Sequence, residues 1–228
     1  MKTIGLIGGM SWESTALYYT AINREIAKRK GGLHSAPILM HSVDFAPIAA
    51  LQATHDWEKL GDEMASSAQR LERAGAEAIF LATNTMHNVA DRIEAAVKLP
   101  LVHIATPTAE ALLADGIERV ALLGTAFTME MPFYIDRLKN SGLDVLVPEV
   151  DRTNLSGIIY NELCKGIVTD QSRAIYIHAI QHLMARGAQA VILGCTEITM
   201  LIGDDDSPLP TYDTTALHAK AAADFILS

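Results

Sequence analysis

Residues 75–85 read GAEAIFLATNT, and residues 187–197 read GAQAVILGCTE. Four of the first seven positions are identical, and the other three are conservative exchanges. Each phrase is a short apolar run that gives way to small and hydroxyl-bearing residues, the pattern of a buried strand entering a loop. Two more pairs accompany it: GLIGG (5–9) with ALLGT (121–125), and LPLVHIAT (99–106) with LPTYDTTA (209–216). The three pairs keep the same order, at offsets of 116, 112 and 110 residues. One shared strand phrase is easily a coincidence, because buried strands draw on a small vocabulary. Three in order at nearly one offset predict a duplicated half.

Outward from these junctions, apolar runs alternate with helical patterns. Strands are expected at 3–8, 37–43, 78–82 and 100–104, with helices at 12–29, 57–74, 85–97 and from about 106. The second half repeats the rhythm. Its strands fall at 119–124, 143–148, 190–194 and 210–213, and its helices at 130–141, 151–164, 169–186 and 214–227. Continuous apolar strands between helices indicate parallel sheets covered on both faces. The fold class is therefore α/β, with two pseudo-symmetric lobes, each a mostly parallel sheet covered by helices. The expected boundaries are 1–98 for the first lobe, completed by 211–228, and 99–210 for the second.

The chain has 228 residues, 50% of them hydrophobic and 20% charged, which suits a core-forming globular protein. A net charge of −9 with no basic cluster argues against nucleic acid or an anionic membrane as a partner. Two distant cysteines, Cys164 and Cys195, form neither a disulfide framework nor a zinc pattern, so no metal is expected. The opening MKTIGLIGG lacks the features of a signal peptide, and no apolar run reaches membrane-spanning length. A reducing cytoplasm is the expected location, where a lone thiol stays free. GLIGGM is not GxGxxG, and no GxxxxGK[ST] occurs, so nucleotide binding is not indicated.

The doubled phrase diverges at its ninth position, where Thr83 in one copy faces Cys195 in the other. Ligands of open parallel sheets bind outside the carboxyl ends of the strands. Both residues stand just past such an end, so two lobes facing one another would bring them to one cleft from opposite sides. A thiol on one face of a carbon acid can take a proton while an acid on the other face delivers one, which inverts a stereocentre. Thiols titrate near pH 8.5 and need modest tuning for either role. A loop leading into a helix is expected to favour the thiolate through its N–H groups, and the same amides can hold a carboxylate.

GLIGGMSWEST (5–15), TNTMH (83–87) and GCTEI (194–198) resemble the signatures of the aspartate/glutamate racemase family, the cofactor-independent amino acid racemases. The resemblance runs over nearly the whole chain. It implies two pseudo-symmetric α/β lobes with the active site in the cleft between them, no cofactor, an acidic amino acid as substrate, and a homodimer. The family pattern at the first site is Cys-Asn-Thr, then a small or apolar residue, then His. Here Thr83 occupies the cysteine position, while Asn84, Thr85 and His87 keep theirs; the second motif is intact around Cys195. The resemblance thus implies unequal catalysis, with Cys195 as base and Thr83 as opposing proton donor. It also places Met10 at the substrate's border. Asn84, Thr85, Thr196 and Glu197 would stand around the α-carboxylate and ammonium, with Thr125 and Thr128 repeating that role in the second half. Lys165 matches a lysine that binds the distal carboxylate in aspartate-type relatives. The arginine that such relatives carry near 47–48 is replaced by Pro47-Ile48, with Gln52 as the polar substitute.

Other readings stand beside these. A single cysteine on this scaffold also suits a decarboxylase or isomerase of a small dicarboxylic acid, or a protein that binds an acidic amino acid without turning it over. Cys164 reads as packing, and Asp204-Asp205-Asp206 as a solvated loop. His87 either buttresses its loop or touches substrate. Trp12 and Glu13 either serve the site or anchor the first helix.

Overall fold

A computed structural model describes residues 1–228, which divide into two compact units. Unit 1 comprises Met1–Ile104 and His218–Ser228; unit 2 comprises Ala105–Leu217.

Unit 1 is built on a parallel four-stranded sheet of β1 (Ile4–Gly8), β2 (Ile38–Ser42), β3 (Ala78–Leu81) and β4 (Leu101–Val102), in the order β2-β1-β3-β4. β1 and β3 are buried along their whole length, as expected for strands covered on both faces. Helices α1 (Trp12–Lys30), α2 (Phe45–Ala53), α3 (Trp57–Arg73) and α4 (Ala90–Ala96) connect the strands. α3 shows how sequence sets the packing. Asp56 caps it by accepting from the Lys59 N–H at 3.2 Å, Arg70 and Arg73 complement the dipole in its last turn, and Leu60, Met64, Ala68 and Leu71 recur on one face and are buried. Each large side chain buried there contributes roughly 1.5–3 kcal/mol. A single Leu60→Ala change would cost about 2–5 kcal/mol by opening a cavity.

Unit 2 repeats the plan with β5 (Arg119–Gly124), β6 (Asp144–Leu146), β7 (Ala190–Gly194) and β8 (Thr211–Asp213), ordered β6-β5-β7-β8 and again all parallel. Its helices are α5 (Ala105–Ala114), α6 (Ala126–Glu130), α7 (Pro132–Asn140), α8 (Arg152–Asn161) and α9 (Asp170–Ala185); α10 (Thr214–Leu227) follows β8. The duplication holds to the residue. Ile7 pairs with Leu81 in the first sheet as Leu123 pairs with Leu193 in the second, and Phe80 with Val102 as Ile192 with Tyr212. These are the offsets of the repeated phrases.

Strand pairing moves the expected lobe boundaries. β4 pairs with β3, so 99–104 belongs to the first unit rather than the second. β8 pairs with β7, so 211–217 belongs to the second unit and only 218–228 returns to the first. The repeated phrase LPLVHIAT/LPTYDTTA is the last strand of each sheet, and the chain crosses between units after it. Two short helices also escaped the sequence reading. α2 carries Pro47 in its first turn, where no N–H is required, and Asp44 caps it. α6 is only five residues, capped by Thr125.

Candidate active site

In unit 1, the turn after β1 is built around Gly8 and Gly9. Gly9 has φ +94°, and a Cβ there would lie 2.2 Å from the Val43 carbonyl oxygen. The Gly9 N–H donates to Thr15 Oγ1 (2.8 Å), which itself donates to the Ser11 carbonyl (2.9 Å). Ser11 caps α1, its Oγ accepting from the Ser14 N–H at 3.3 Å. Met10, in this turn, is buried. Trp12, the first residue of α1, is 68% exposed.

The TNTMH motif follows β3. The helix expected over 85–97 is a 3-10 turn at Thr85–Val89 followed by the separate α4. Thr83, Asn84, Thr85 and His87 are all buried. His87 Nδ1 lies 2.8 Å from the Thr83 carbonyl oxygen, and His87 Nε2 accepts from the Ile104 N–H at 3.2 Å. Gln52, on α2, is buried beside the same motif: its Nε2 contacts Met86 Sδ at 3.2 Å.

In unit 2, the matching junction after β7 leads to a 3-10 turn at Thr196–Met200. Cys195 is buried, and its Sγ donates to Glu197 Oε2 at 2.9 Å. Thr196 Oγ1 donates to the same oxygen at 3.0 Å, and Glu197 itself is only 4% exposed. A buried carboxylate carrying two donors is a strong local charge. Burial, first, and then the Glu197 charge push the Cys195 thiol well above its ordinary range. The expected bias toward thiolate from helix amides is thus corrected: the turn is short, and desolvation with a neighbouring anion outweighs it.

Thr125 follows β5 and caps α6; its Oγ1 accepts from the Thr128 N–H (3.3 Å) and lies 3.1 Å from Thr128 Oγ1. Thr128 is fully buried, with its Cγ2 in the space that a Cβ on Gly124 or Gly194 would enter. Those glycines let β5 and β7 approach at the ends that carry the site. Lys165 is exposed at the end of a 3-10 turn, Leu163–Lys165, that packs against the turn after Cys195.

Sequence reasoning missed Tyr160. It lies near the end of α8, four residues before Cys164 of the following 3-10 turn, and its phenol is pushed up by burial and then by Cys195, Cys164 and Glu197. No spacing in the sequence marks it, because α8 ends at Asn161 and Cys164 lies in the separate 3-10 turn Leu163–Lys165. Cys164 is half-buried against the core that contains Cys195, in keeping with a packing role. No three or more His, Cys, Asp or Glu side chains are grouped to hold a metal ion, and no helix is long and apolar enough to cross a membrane.

Two parallel α/β units of one topology, with a buried thiol–carboxylate pair at the end of an interior strand of the second, define a duplicated two-unit α/β protein. The profile of the Asp/Glu/hydantoin racemase family matches residues 7–222, and the chain belongs to that family. It is therefore of the amino acid racemase class, an isomerase. A crystal structure of a Yersinia pestis protein assigned as an Asp/Glu racemase is 50% identical, covers both chains fully and superposes with a TM-score of 0.93. An aspartate racemase homologue from Pyrococcus horikoshii is 34% identical with a TM-score of 0.84, again over 100% of both chains. The broad specificity amino-acid racemase RacX of Bacillus subtilis is 22% identical over 228 residues, 99% of this chain and 98% of RacX.

Proposed function

We propose that this protein racemises aspartate and glutamate without a cofactor, with Cys195 exchanging the Cα proton on one face and Thr83 delivering a proton to the other. The observation that carries this reading is the Cys195–Glu197 contact, set at a strand end whose duplicate carries Thr83. The buried thiol holds its proton at rest and can serve directly as an acid. It becomes a base when its proton passes to Glu197 Oε2, 2.9 Å away, and the freed thiolate takes hydrogen from Cα. The amides of both turns, with Asn84, Thr85, Thr125 and Thr196, stabilise the enolate-like charge and hold the α-carboxylate. Thr83 has no such base: Thr85 stands where Glu197 stands in the duplicate. A hydroxyl is a far weaker acid than a thiol, so the two directions run unequally.

Lys165 is the cation for the distal carboxylate in this reading. With Pro47-Ile48 on α2 in place of a second cation, and Gln52 beside Met86, the pocket takes glutamate or a broader range as well as aspartate. The broad specificity of RacX is consistent with that breadth. A cytoplasmic homodimer is the setting proposed. The test is proton NMR of L- and D-aspartate and L- and D-glutamate with the protein in deuterium oxide, with chiral analysis of the same samples. Loss of the Cα–H signal with appearance of the opposite enantiomer is expected. Absence of exchange with all four compounds would refute the racemase reading and point to a binding protein or a dicarboxylate enzyme.

A further inference from the structure

We infer that His87 is a positioning residue for Thr83, acting as the Nδ1–H tautomer that donates to the Thr83 carbonyl and so fixes the peptide on which the hydroxyl is carried. The inference rests on the proposed role of Thr83 as proton donor. The tautomer follows from the partners. A backbone N–H is a donor only, so Nε2, which accepts from Ile104 N–H at 3.2 Å, carries no proton. The proton is then on Nδ1 and is donated to the Thr83 carbonyl oxygen at 2.8 Å. Both ring nitrogens are thereby engaged, the side chain is 2% exposed, and the ring packs against His103 with centroids 4.4 Å apart. A residue held in this way has no nitrogen left for a substrate.

The consequence falls on Thr83. Its N–H donates to the Leu81 carbonyl at 2.9 Å, and its own carbonyl is held by His87, so the peptide units on both sides of the residue are fixed. The freedom that remains is χ1, which is stiff in a β-branched side chain. The second junction is held differently. Thr199, the equivalent of His87, donates to the Thr196 carbonyl at 2.8 Å, while the Cys195 carbonyl accepts from the Ile198 N–H within the turn. There the reactive atom itself is oriented, by Glu197. Thr83 has no carboxylate at the equivalent place, and its orientation comes through the main chain.

Two substitutions separate the two bonds of the imidazole. In His87→Asn the side-chain amide nitrogen takes the place of Nδ1 and can still donate to Thr83. In His87→Gln the longer amide oxygen reaches toward Ile104 and the donor to Thr83 is lost. Each is incubated with aspartate and glutamate in deuterium oxide, and the ratio of inversion to total Cα deuteration is measured, with circular dichroism confirming the fold. In His87→Gln the ratio is expected to fall at least about tenfold while exchange at the Cys195 face persists, and His87→Asn is expected to restore it to within about threefold of wild type. An unchanged ratio in His87→Gln, or equal loss in both variants, would overturn the inference. Long-range proton–nitrogen correlation of 15N-histidine-labelled protein tests the tautomer without activity. The signal that disappears in His87→Asn should show a protonated Nδ1 and a bare Nε2; the opposite pattern would overturn the inference even in an active enzyme. A wild-type protein that exchanges none of the substrates would instead overturn the racemase reading, and Thr83's role with it, whatever the tautomer.

Discussion

The Cys195 thiol donates to Glu197 Oε2 across 2.9 Å, while Thr85 occupies the place equivalent to Glu197 in the first half. The two halves therefore share a backbone and differ in their acid–base equipment. Glu197→Gln tests that difference. Its carboxylate raises the thiol second only to burial, so its removal should bring the Cys195 titration down, though still above the ordinary thiol range, because burial remains. Thiolate absorbance against pH, in a Cys164→Ala background, reads that midpoint. If Glu197 also receives the thiol's proton, turnover should drop by roughly a hundredfold even though the thiolate forms more easily. A midpoint that stays put or rises, or full turnover in the variant, would contradict the pairing.

Thr83→Val removes the hydroxyl and keeps the branched shape. Starting from the enantiomer whose Cα–H faces Cys195, exchange of hydrogen for deuterium should continue, because the thiol works alone on that face. Inversion should fall by about 10²–10³-fold, the usual size of a lost proton donor. In the wild type, the same logic gives unequal maximal rates from the two enantiomers. Equal rates from both, or a valine variant that inverts normally, would show that the second proton comes from elsewhere.

The strand ends that carry Thr83 and Cys195 were legible from the sequence because they are duplicated, and duplication is visible in one chain. The repeated phrases align to the residue in the two sheets. The lobe boundaries were not legible, since β4 and β8 are two and three residues long, and only pairing shows which sheet such strands join. The 3-10 turns after β3 and β7 were also hidden, because 3-10 and α segments share the same short-range apolar pattern. The state of Cys195 depended on a carboxylate two residues away being folded back onto the thiol while both are buried. That is a tertiary fact, and a local rule about helix amides gave the wrong sign.

Gly9→Ala should be severely destabilising. At φ +94° any Cβ is strained, and here it would also meet Val43 O at 2.2 Å and Val43 N at 2.6 Å. Gly75→Ala is the control within the same unit, with φ +100° but nothing within 4 Å of the added carbon. The control should lose only the conformational cost, about 1–2 kcal/mol, and Gly9→Ala more than about 3 kcal/mol. Urea unfolding of both variants checks the order. Equal losses would mean that the close approach of the β1 turn to Val43 relaxes without penalty.

His218 sets an acid limit on unit 1. Burial lowers its pKa from 6.5 to about 4, partly opposed by its bond to the Val102 carbonyl at 2.8 Å; its Nδ1 accepts from the Tyr18 hydroxyl at 3.0 Å. Between those two values the unfolded chain binds a proton that the folded chain does not. Stability from this group is therefore complete above about pH 6.5, declines as the pH falls toward 4 and is flat below, with a total on the order of 3 kcal/mol. Urea midpoints at pH 7, 5.5 and 4.5 should trace that decline. His218→Gln removes the titration: it should lower the midpoint at pH 7, because the Tyr18 pairing is lost, yet flatten the slope below it. Parallel slopes in the two proteins would mean that another group carries the acid sensitivity.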